Sequence, residues 1–176
     1  MEKYRLGEII AEGGFGIVRE CVKRGTNESL AVKIIDKTRL SSDEVTCLSI
    51  ELDIICCIDH PNVVKTFEII DTPSKWYIFM EKMNGGELFD WIIEKEHYSE
   101  KEASNTLRPI VDAIKYCHSM GVAHRDLKPE NMLYSSKGSG GIIKITDFGF
   151  ARFCEDDIMT TTCGTPGYVA PEILKG

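Results

Sequence analysis

The chain has 176 residues, 43% of them apolar, and its formal net charge at pH 7 is −7. The apolar fraction is sufficient for a folded core and excludes a fully disordered chain. The acidic balance argues against a protein that binds nucleic acid or an anionic membrane by bulk charge attraction. No apolar run approaches the length of a membrane span or follows the N-terminus as a signal peptide would. Seven cysteines without a C-x-x-C pair predict reduced, mostly buried thiols, so we expect a cytoplasmic protein.

The first half of the chain has the pattern of a small sheet with one helix. Strands are predicted at residues 4–11, 16–24, 28–36, 63–70 and 76–80. A helix is predicted at residues 42–58, where Ser42 and Asp43 could cap it and apolar residues recur along one face. The His-Pro-Asn sequence at residues 60–62 should end the helix.

The second half of the chain is mainly helical in pattern. A break at residues 84–86 (Asn-Gly-Gly) is followed by helical periodicity, and residues 99–102 resemble a capping box for a helix that reaches about Ser119. Pro109 should kink this helix or cost it one hydrogen bond. Residues 135–141 are rich in Ser and Gly and predict a hairpin loop.

Strands come first and helices second, which predicts two lobes rather than alternating strands and helices. We expect a sheet-rich lobe at residues 1–83 and a helical lobe at residues 84–176, with a hinge at Asn84. No internal repeat is present, so the two lobes are not copies of one unit.

Two short motifs carry the chemistry: HRDLKPEN at residues 124–131 and DFG at residues 147–149. Phosphoryl transfer needs a group that accepts the hydroxyl proton, a cation on the moving phosphate and oxygen ligands for magnesium. The residues that can supply these groups are Asp126 for the proton, Lys128 for the phosphate, and Asn131 and Asp147 for Mg²⁺. The HRD tripeptide at residues 124–126 or the DFG tripeptide alone could be accidental. Both in this order, separated by a predicted strand-turn-strand, make chance a poor explanation.

These motifs resemble those of the eukaryotic protein kinases, and residues 85–89 and 146–151 are most similar to the calcium/calmodulin-dependent group. The resemblance implies an α+β bilobal fold, with an antiparallel five-stranded sheet and a helix in the first lobe and mainly helices in the second. It also implies ATP and Mg²⁺ as cofactors and a protein as substrate. The family's second lobe continues beyond the Ala-Pro-Glu motif at residues 170–172, so we expect this catalytic domain to be incomplete at its C-terminus.

The glycine-rich turn after the first predicted strand is similar to the loop that covers the ATP phosphates in this family. Glycines let backbone N–H groups approach phosphate oxygens, although tight hairpins use the same residues. The residues that the resemblance assigns to this loop are Ala11, Gly13, Gly14, Phe15 and Gly16. Ala11 departs from the family pattern, because it stands at the first glycine position and its methyl group limits backbone freedom.

The resemblance assigns the remaining nucleotide contacts to predicted strands and to the hinge. Lys33 matches the lysine that holds the α- and β-phosphates, and Glu51 in the first helix is its expected partner, with Glu44 as the alternative. The expected adenine site consists of Met80 at the back, the backbone of Glu81 and Met83 at the edge, and Val18, Ala31 and Leu133 on the ring faces. Taken singly, each of these apolar residues would be assigned to the core.

The same resemblance indicates the substrate class. Lys128 and Thr165 match the serine/threonine form of the family, and Glu87 and Glu130 match acids that bind an arginine upstream of the phosphorylated residue. Glu87 could instead bind ribose or cap a helix. We expect phosphorylation of protein Ser or Thr at basic-directed sites. The alternative is a catalytically weak or inactive nucleotide-binding module, which Ala11 favours and the intact motifs oppose.

Regulation is also implied by the resemblance. Thr161 is the expected site of phosphorylation by an upstream activating kinase, with Thr160 and Thr162 as competing sites. Arg125, beside the predicted catalytic aspartate, could bind the phosphate through charge-assisted hydrogen bonds. By analogy with the calcium/calmodulin-dependent group, a calcium-sensor regulator outside this chain is expected.

Overall fold

The computed structural model describes residues 2–13, 16–95, 97–138, 140–149, 151–153 and 164–175, and for Glu51 and Phe153 it describes the backbone alone. The chain folds into two lobes, as the resemblance implies. The first is an antiparallel sheet with a long helix, and the second contains helices and short two-stranded sheets.

The first lobe is built on a five-stranded antiparallel sheet. Its strands are β1 (Tyr4–Gly13), β2 (Gly16–Lys23), β3 (Glu28–Asp36), β4 (Thr66–Asp71) and β5 (Lys75–Glu81). They lie in the order β1-β2-β3-β5-β4, so β3 is central. Leu30, Ala31 and Val32 of β3 are buried, which accounts for the run of three apolar residues at these positions.

Helix α1 (Ser42–Cys57) begins one residue later than its cap. Ser41 is the N-cap: its Oγ accepts a hydrogen bond from Glu44 N at 3.3 Å, and Glu44 Oε2 accepts one from Ser41 N at 2.8 Å. The predicted cap at Ser42 and Asp43 is therefore wrong by a residue. The capping box requires its acid three positions after the cap, and Glu44 satisfies this for Ser41.

Strand β4 begins at Thr66 and not at Val63 as predicted. Val63 forms an isolated parallel bridge with Ile145, and Val64 N donates to Ile145 O at 2.9 Å. The chain therefore pairs first with the second lobe and joins the sheet of the first lobe only afterwards. The apolar run does not reveal this change of partner, because both environments bury Val equally well.

The second lobe contains the helices α2 (Leu88–Glu94), α3 (Glu100–Ser119) and α4 (Pro171–Lys175) and the short strands β6 (Val122–Ala123), β7 (Met132–Tyr134), β8 (Ile143–Ile145) and β9 (Arg152–Phe153). Strand β6 pairs with β9 and β7 with β8, both antiparallel. The predicted capping box of Ser99 and Glu102 is confirmed at the start of α3. Pro109 has no N–H to donate, but it does not end the helix. None of the described helices is long and apolar enough to cross a membrane.

Helix α1 contributes to the cores of both lobes. Leu48 and Leu52 pack with Trp76 against the sheet. Ile54, together with Ile58 directly after the helix, packs into the core of the second lobe around α3. The helix therefore ties the sheet to the elements on the other side of the cleft.

Most of the described cysteines are not buried, contrary to the prediction. All five are free thiols; Cys21 and Cys117 are buried, whereas Cys47, Cys56 and Cys57 of α1 are exposed. Cysteine is among the most buried residue types on average. In α1, however, these three side chains lie off the helix face that contacts the two cores.

Candidate active site

A cavity of about 320 Å³ lies between the sheet of the first lobe and the strands of the second. The predicted site residues in its wall are Ala11, Val18, Ala31, Lys33, Met80, Glu81, Met83, Glu87, Glu130, Asn131, Leu133 and Asp147. Gly13 and Gly16, at the facing ends of β1 and β2, do not line it. Gly14 and Phe15 lie outside the described residues, as does the side chain of Glu51.

Strand register explains why small and apolar side chains surround the cavity. Val18 of β2 lies opposite Lys33, and Ala31 lies opposite Met80 of β5. Because side chains alternate along a strand, Ala31 and Lys33 share one face of β3. The methyl group of Ala31 leaves space between this face and Leu133 of β7, and a flat ring could occupy that space.

The hinge, residues 81–86, is held against β7 by backbone hydrogen bonds. Asn84 N donates to Ser135 O at 3.1 Å, Gly85 N donates to Tyr134 O at 2.8 Å, and Tyr134 N donates to Gly86 O at 2.9 Å. The edge of the cavity is therefore formed by main chain whose position is fixed by the second lobe.

Lys33 and Asp147 meet across the cavity. Lys33 Nζ donates a hydrogen bond to Asp147 Oδ1 at 3.1 Å. Asp147 has a φ of 57°, a left-handed conformation that few non-glycine residues adopt and that is concentrated at functional sites. The alternative partner of Lys33, Glu44, is engaged by Ser41 in the capping box of α1, so that assignment is wrong.

Asp126 and Asn131 are buried and hydrogen-bonded to each other. Asn131 Nδ2 donates to Asp126 O at 2.8 Å and to Asp126 Oδ2 at 3.1 Å. A short 3-10 helix at Pro129–Asn131 turns the chain back and makes this contact possible. His124 connects the loop at residues 124–131 to the segment before Asp147. Its Nδ1 accepts a hydrogen bond from Asp126 N at 3.2 Å, and its Nε2 lies 3.0 Å from Thr146 O.

Thr165 and Lys128 complete the surroundings of Asp126. Thr165 Oγ1 donates to Asp126 Oδ1 at 2.7 Å and accepts from Lys128 Nζ at 2.7 Å. Lys128 Nζ lies 3.0 Å from Asp126 Oδ2. Burial alone would raise the pKa of Asp126, but the hydrogen bonds from Thr165 and Lys128 and the lysine charge outweigh it and lower that pKa. The carboxylate is therefore ionised at neutral pH.

The glycine-rich turn requires glycine at Gly16 for a packing reason that the sequence did not reveal. Gly16 has a φ of 150°, and a Cβ there would lie 2.2 Å from Ile34 O on β3. Gly13 pairs with Gly16 in the sheet, and a Cβ on Gly13 would meet no atom within 4 Å. Gly16 therefore allows β2 to approach β3 closely, in addition to any role toward phosphate.

Glu87 and Glu130 form an acidic pair at one side of the cavity. Burial, Asp90 and Glu130 all raise the pKa of Glu87. Glu130 Oε2 is buried and has no hydrogen-bond partner among the described residues, while Oε1 accepts from Tyr168 OH at 3.4 Å. Glu87 stands at the N-cap position of α2, as the capping alternative expects, but its side chain makes no capping hydrogen bond. A buried carboxylate oxygen without a partner is suited to a cationic ligand.

Asn131 and Asp147 could hold a magnesium ion. The amide nitrogen of Asn131 donates to Asp126, so the amide oxygen is the atom that could ligate a metal ion. Asp147 adds carboxylate oxygens, and both residues line the same cavity. Mg²⁺ prefers oxygen ligands and often binds one or two protein side chains together with substrate phosphates. The residues present fit this ion.

Sequence reasoning missed two lysines, Lys82 within the hinge and Lys144 beside it. Lys144 forms an ion pair with Glu81 and Lys82 forms one with Glu20. The Ile-Lys-Ile sequence at residues 143–145 was the available signal, since it sets one lysine between two buried isoleucines of a strand.

Comparison with known proteins agrees with this geometry. The family model described as protein kinase domain matches residues 4–176. Myosin light chain kinase A of Dictyostelium discoideum is 43% identical over 98% of this chain and 59% of its own length. Calcium/calmodulin-dependent protein kinase type 1 of Macrobrachium nipponense is 44% identical over 98% of this chain and 50% of its own length. CBL-interacting serine/threonine-protein kinase 24 of Arabidopsis thaliana is 41% identical over 99% of this chain and 39% of its own length, so the chain spans between 39% and 59% of these curated relatives.

Proposed function

The chain belongs to the protein kinase domain family, and we propose that it transfers the γ-phosphoryl group of ATP to serine or threonine hydroxyl groups of protein substrates. The observation that carries this proposal is the hydrogen-bonded group of Asp126, Lys128 and Thr165, which is joined to the cavity wall through Asn131. The serine/threonine assignment is supported by the contact of Thr165 with both charged residues and by the names of the relatives.

In this proposal the cavity takes ATP. The adenine ring lies between Ala31 and Leu133, and its edge meets the backbone of Glu81 and Met83, as expected from the alternation of β3 and the position of the hinge. Lys33 binds the α- and β-phosphates once its ammonium group leaves the carboxylate across the cavity. A cavity with apolar faces and a few polar groups at its edges is the usual form of such a site.

The proposed transfer step depends on charge and position rather than on covalent chemistry. Asn131 and Asp147 would hold Mg²⁺, which when bound neutralises the phosphate oxygens. Asp126 accepts the proton of the substrate hydroxyl, and its lowered pKa keeps it ionised at neutral pH. Lys128, 3.0 Å from Asp126, carries the positive charge that stabilises the moving phosphoryl group.

We further propose that the substrate carries a basic residue upstream of the phosphorylated one. Glu87 and Glu130 make the electrostatic potential at one side of the cavity more negative. The buried Oε2 of Glu130 has no hydrogen-bond partner within the described part of the chain. A guanidinium group could bind both carboxylates with charge-assisted hydrogen bonds.

Peptide phosphorylation tests both statements. Peptides with one serine and an arginine at each upstream position in turn should be compared with an arginine-free peptide and with a peptide in which proline follows the serine. Glu130→Gln and Glu87→Gln should raise KM for the best arginine peptide on the order of tenfold and leave the arginine-free peptide unchanged. Asp112→Asn, an exposed acid on α3, is the matched control. Equal use of all peptides would remove the basic-directed assignment, and nucleotide binding without any transfer would support the inactive module.

Activation by phosphorylation at Thr161 is part of the proposal, with Thr160 and Thr162 as competing sites. These threonines lie outside the described residues. Support comes from Arg125, which directly precedes Asp126 and has an unusual φ of 64°; a guanidinium group there is suited to a phosphate dianion. Mass spectrometry of the active protein and an assay of Thr161→Ala test the idea. Full activity with an unmodified segment would contradict it.

A calcium sensor is the proposed regulator. The support is the name of one relative, a calcium/calmodulin-dependent kinase that is 44% identical to this chain. Activity of the complete protein should be measured with calcium and calmodulin together and with each alone. Equal activity in all conditions would remove this regulator from the proposal.

A further inference from the structure

Two consecutive hinge residues, Glu81 and Lys82, carry opposite charges and are bound to opposite lobes. Glu81 pairs with Lys144 of β8 in the second lobe. Lys82 pairs with Glu20 of β2 in the first lobe, with a distance of 2.6 Å between Nζ and Oε1. The chain segment that crosses between the lobes is therefore fastened on both sides by side chains.

The contacts of Glu81 are extensive for a hinge side chain. Its Oε1 accepts from Lys144 Nζ at 2.7 Å and from Lys65 N at 2.6 Å, and its Oε2 accepts from Lys144 Nζ at 2.8 Å. The side chains of Lys144 and Glu81 are only 13% and 23% exposed. Solvent screens a pair so placed much less than it screens a surface ion pair.

Lys144 links this contact to the rest of the cavity. It stands in β8 between Ile143 and Ile145, both buried in the second-lobe core, and its backbone pairs with Leu133. A shift of Lys144 would therefore move Leu133 and the floor of the cavity relative to the hinge.

The Lys82–Glu20 ion pair connects the hinge to the sheet of the first lobe. Glu20 lies opposite Ala31 in the sheet, and Ala31 lies opposite Met80, directly before Glu81. Lys82 thus reaches back over β3 to β2. The side chains of Lys82 and Glu20 are 21% and 46% exposed, so this pair is the more solvated of the two.

We propose that the Glu81–Lys144 and Lys82–Glu20 pairs form a hinge clamp that sets the position of the nucleotide-binding backbone between the lobes. Lys144 and Glu20 are its positioning residues. The inference rests on the proposed function, since it assumes that the backbone of residues 81–83 receives the adenine. The backbone N–H and C=O groups proposed to meet the adenine are the same whatever side chains this segment carries. The affinity for the nucleotide therefore depends on how well the position of the segment is fixed before binding.

The decisive experiment compares Lys144→Met, Lys144→Arg and the control Asp59→Asn in the complete protein. Asp59 forms an ion pair with Lys65 at 3.0 Å, but its side chain is 76% exposed and does not touch the hinge residues. Three quantities should be measured: the Kd for Mg-ADP by calorimetry, KM for ATP, and kcat at saturating ATP. Lys144→Met should raise Kd and KM by about threefold to tenfold and change kcat by less than about twofold. Lys144→Arg keeps the positive charge and the donors toward the Glu81 carboxylate, so it should restore both constants to within about twofold of the wild type, and Asp59→Asn should change neither.

Glu20→Gln supplies a second arm at a more exposed position, so it remains informative if Lys144→Met does not fold. It should raise Kd for Mg-ADP by about twofold to threefold. In a double-mutant cycle, Glu81→Gln added to Lys144→Met should cost much less than Glu81→Gln alone.

The outcomes separate the clamp from the proposed function. A wild-type protein that neither binds Mg-ADP nor phosphorylates a peptide would remove both. A wild-type protein that does both, with an unchanged Kd in Lys144→Met and Glu20→Gln, would overturn the clamp alone. Equal losses in Lys144→Met and Lys144→Arg would also overturn it, because packing and not charge would then explain the effect.

Discussion

Lys33 of β3 and Asp147 after β8 form an ion pair across the cavity, with 3.1 Å between Nζ and Oδ1, although 114 residues separate them in sequence. In the proposed reaction both groups take new partners, the lysine a phosphate and the aspartate a magnesium ion. Their side chains are 22% and 43% exposed, and a pair so exposed contributes at most about 1 kcal/mol. The exchange of partners therefore costs little free energy, and the two side chains already face the same part of the cavity.

Lys33→Met should reduce kcat/KM for peptide phosphorylation by about a hundredfold or more, because it removes a charge from the phosphate path and keeps the apolar stem. Thermal unfolding should change little, since the lost ion pair is partly solvated. Lys137→Met, at an exposed position in the hairpin loop, is the control and should behave as the wild type. Retention of full activity in Lys33→Met would contradict the role given to this lysine.

Asp126→Asn should lower kcat by about a hundredfold or more and leave Mg-ATP binding almost unchanged. Asparagine keeps the size of the side chain and can still contact Asn131 and Thr165, but it cannot accept the hydroxyl proton. Steady-state assays give kcat, and calorimetry gives the Kd. A variant that turns over at the wild-type rate would exclude Asp126 as the base.

Thr165→Ala should shift the acid limb of the pH–rate profile to higher pH. The Thr165 hydroxyl donates to Asp126 and is one of the contacts that lower the pKa of that carboxylate. Loss of the bond raises this pKa, so a larger fraction of the base is protonated at a given acidic pH. Activity near pH 7 should fall by about tenfold through lost positioning. Thr165→Ser keeps the hydroxyl and should restore the limb; identical profiles in Ala and Ser variants would argue against the hydrogen bond.

Stability should fall as the pH is lowered below about 6.5, the ordinary pKa of histidine. Burial lowers the pKa of His124 in the folded protein, although its contact with Thr146 O acts in the opposite sense. The unfolded chain therefore binds the proton more readily, and the free energy of unfolding decreases from that pH down to the folded pKa, below which this contribution is fully lost. Urea unfolding between pH 7 and pH 5 should detect the slope. His124→Asn should flatten it and His118→Asn, on the exposed end of α3, should not.

The sequence was a good guide wherever local chemistry decides the structure. The capping box at Ser99 and Glu102, the strands β1, β2 and β3, and the order of the two lobes follow from short-range patterns. The gathering of cavity residues was predictable only through the family resemblance, because taken singly each of them fits a core equally well.

Apart from the N-cap of α1, the features that were not predicted depend on partners distant in the chain. Val63 leaves the sheet because Ile145 binds it, and Lys144 is bound by Glu81 through a contact of 63 residues' separation. Neither partner is visible in a local window of sequence. The exposed thiols of α1 were mispredicted for a related reason, since only the assembled cores determine which helix face is covered.

Gly85→Ala should destabilise the protein by about 1 to 3 kcal/mol, because the hinge has no room for a methyl group. A Cβ at Gly85 would lie 2.4 Å from Tyr134 Cβ and 2.5 Å from Ser136 O. The neighbouring backbone cannot yield easily, since Gly85 N donates to Tyr134 O at 2.8 Å and Gly85 O accepts from Trp91 Nε1 at 2.8 Å. The hinge would have to move away from β7, so the affinity for Mg-ADP should fall together with stability.

Gly140→Ala is the matched control, because a Cβ there meets no atom within 4 Å, and its effect should stay within about 0.5 kcal/mol. Urea unfolding and calorimetry of both variants measure the two effects. Equal stability of the two alanine variants would mean that β7 and the hinge can separate without cost, and the hydrogen bonds between them could then not be what fixes the edge of the cavity.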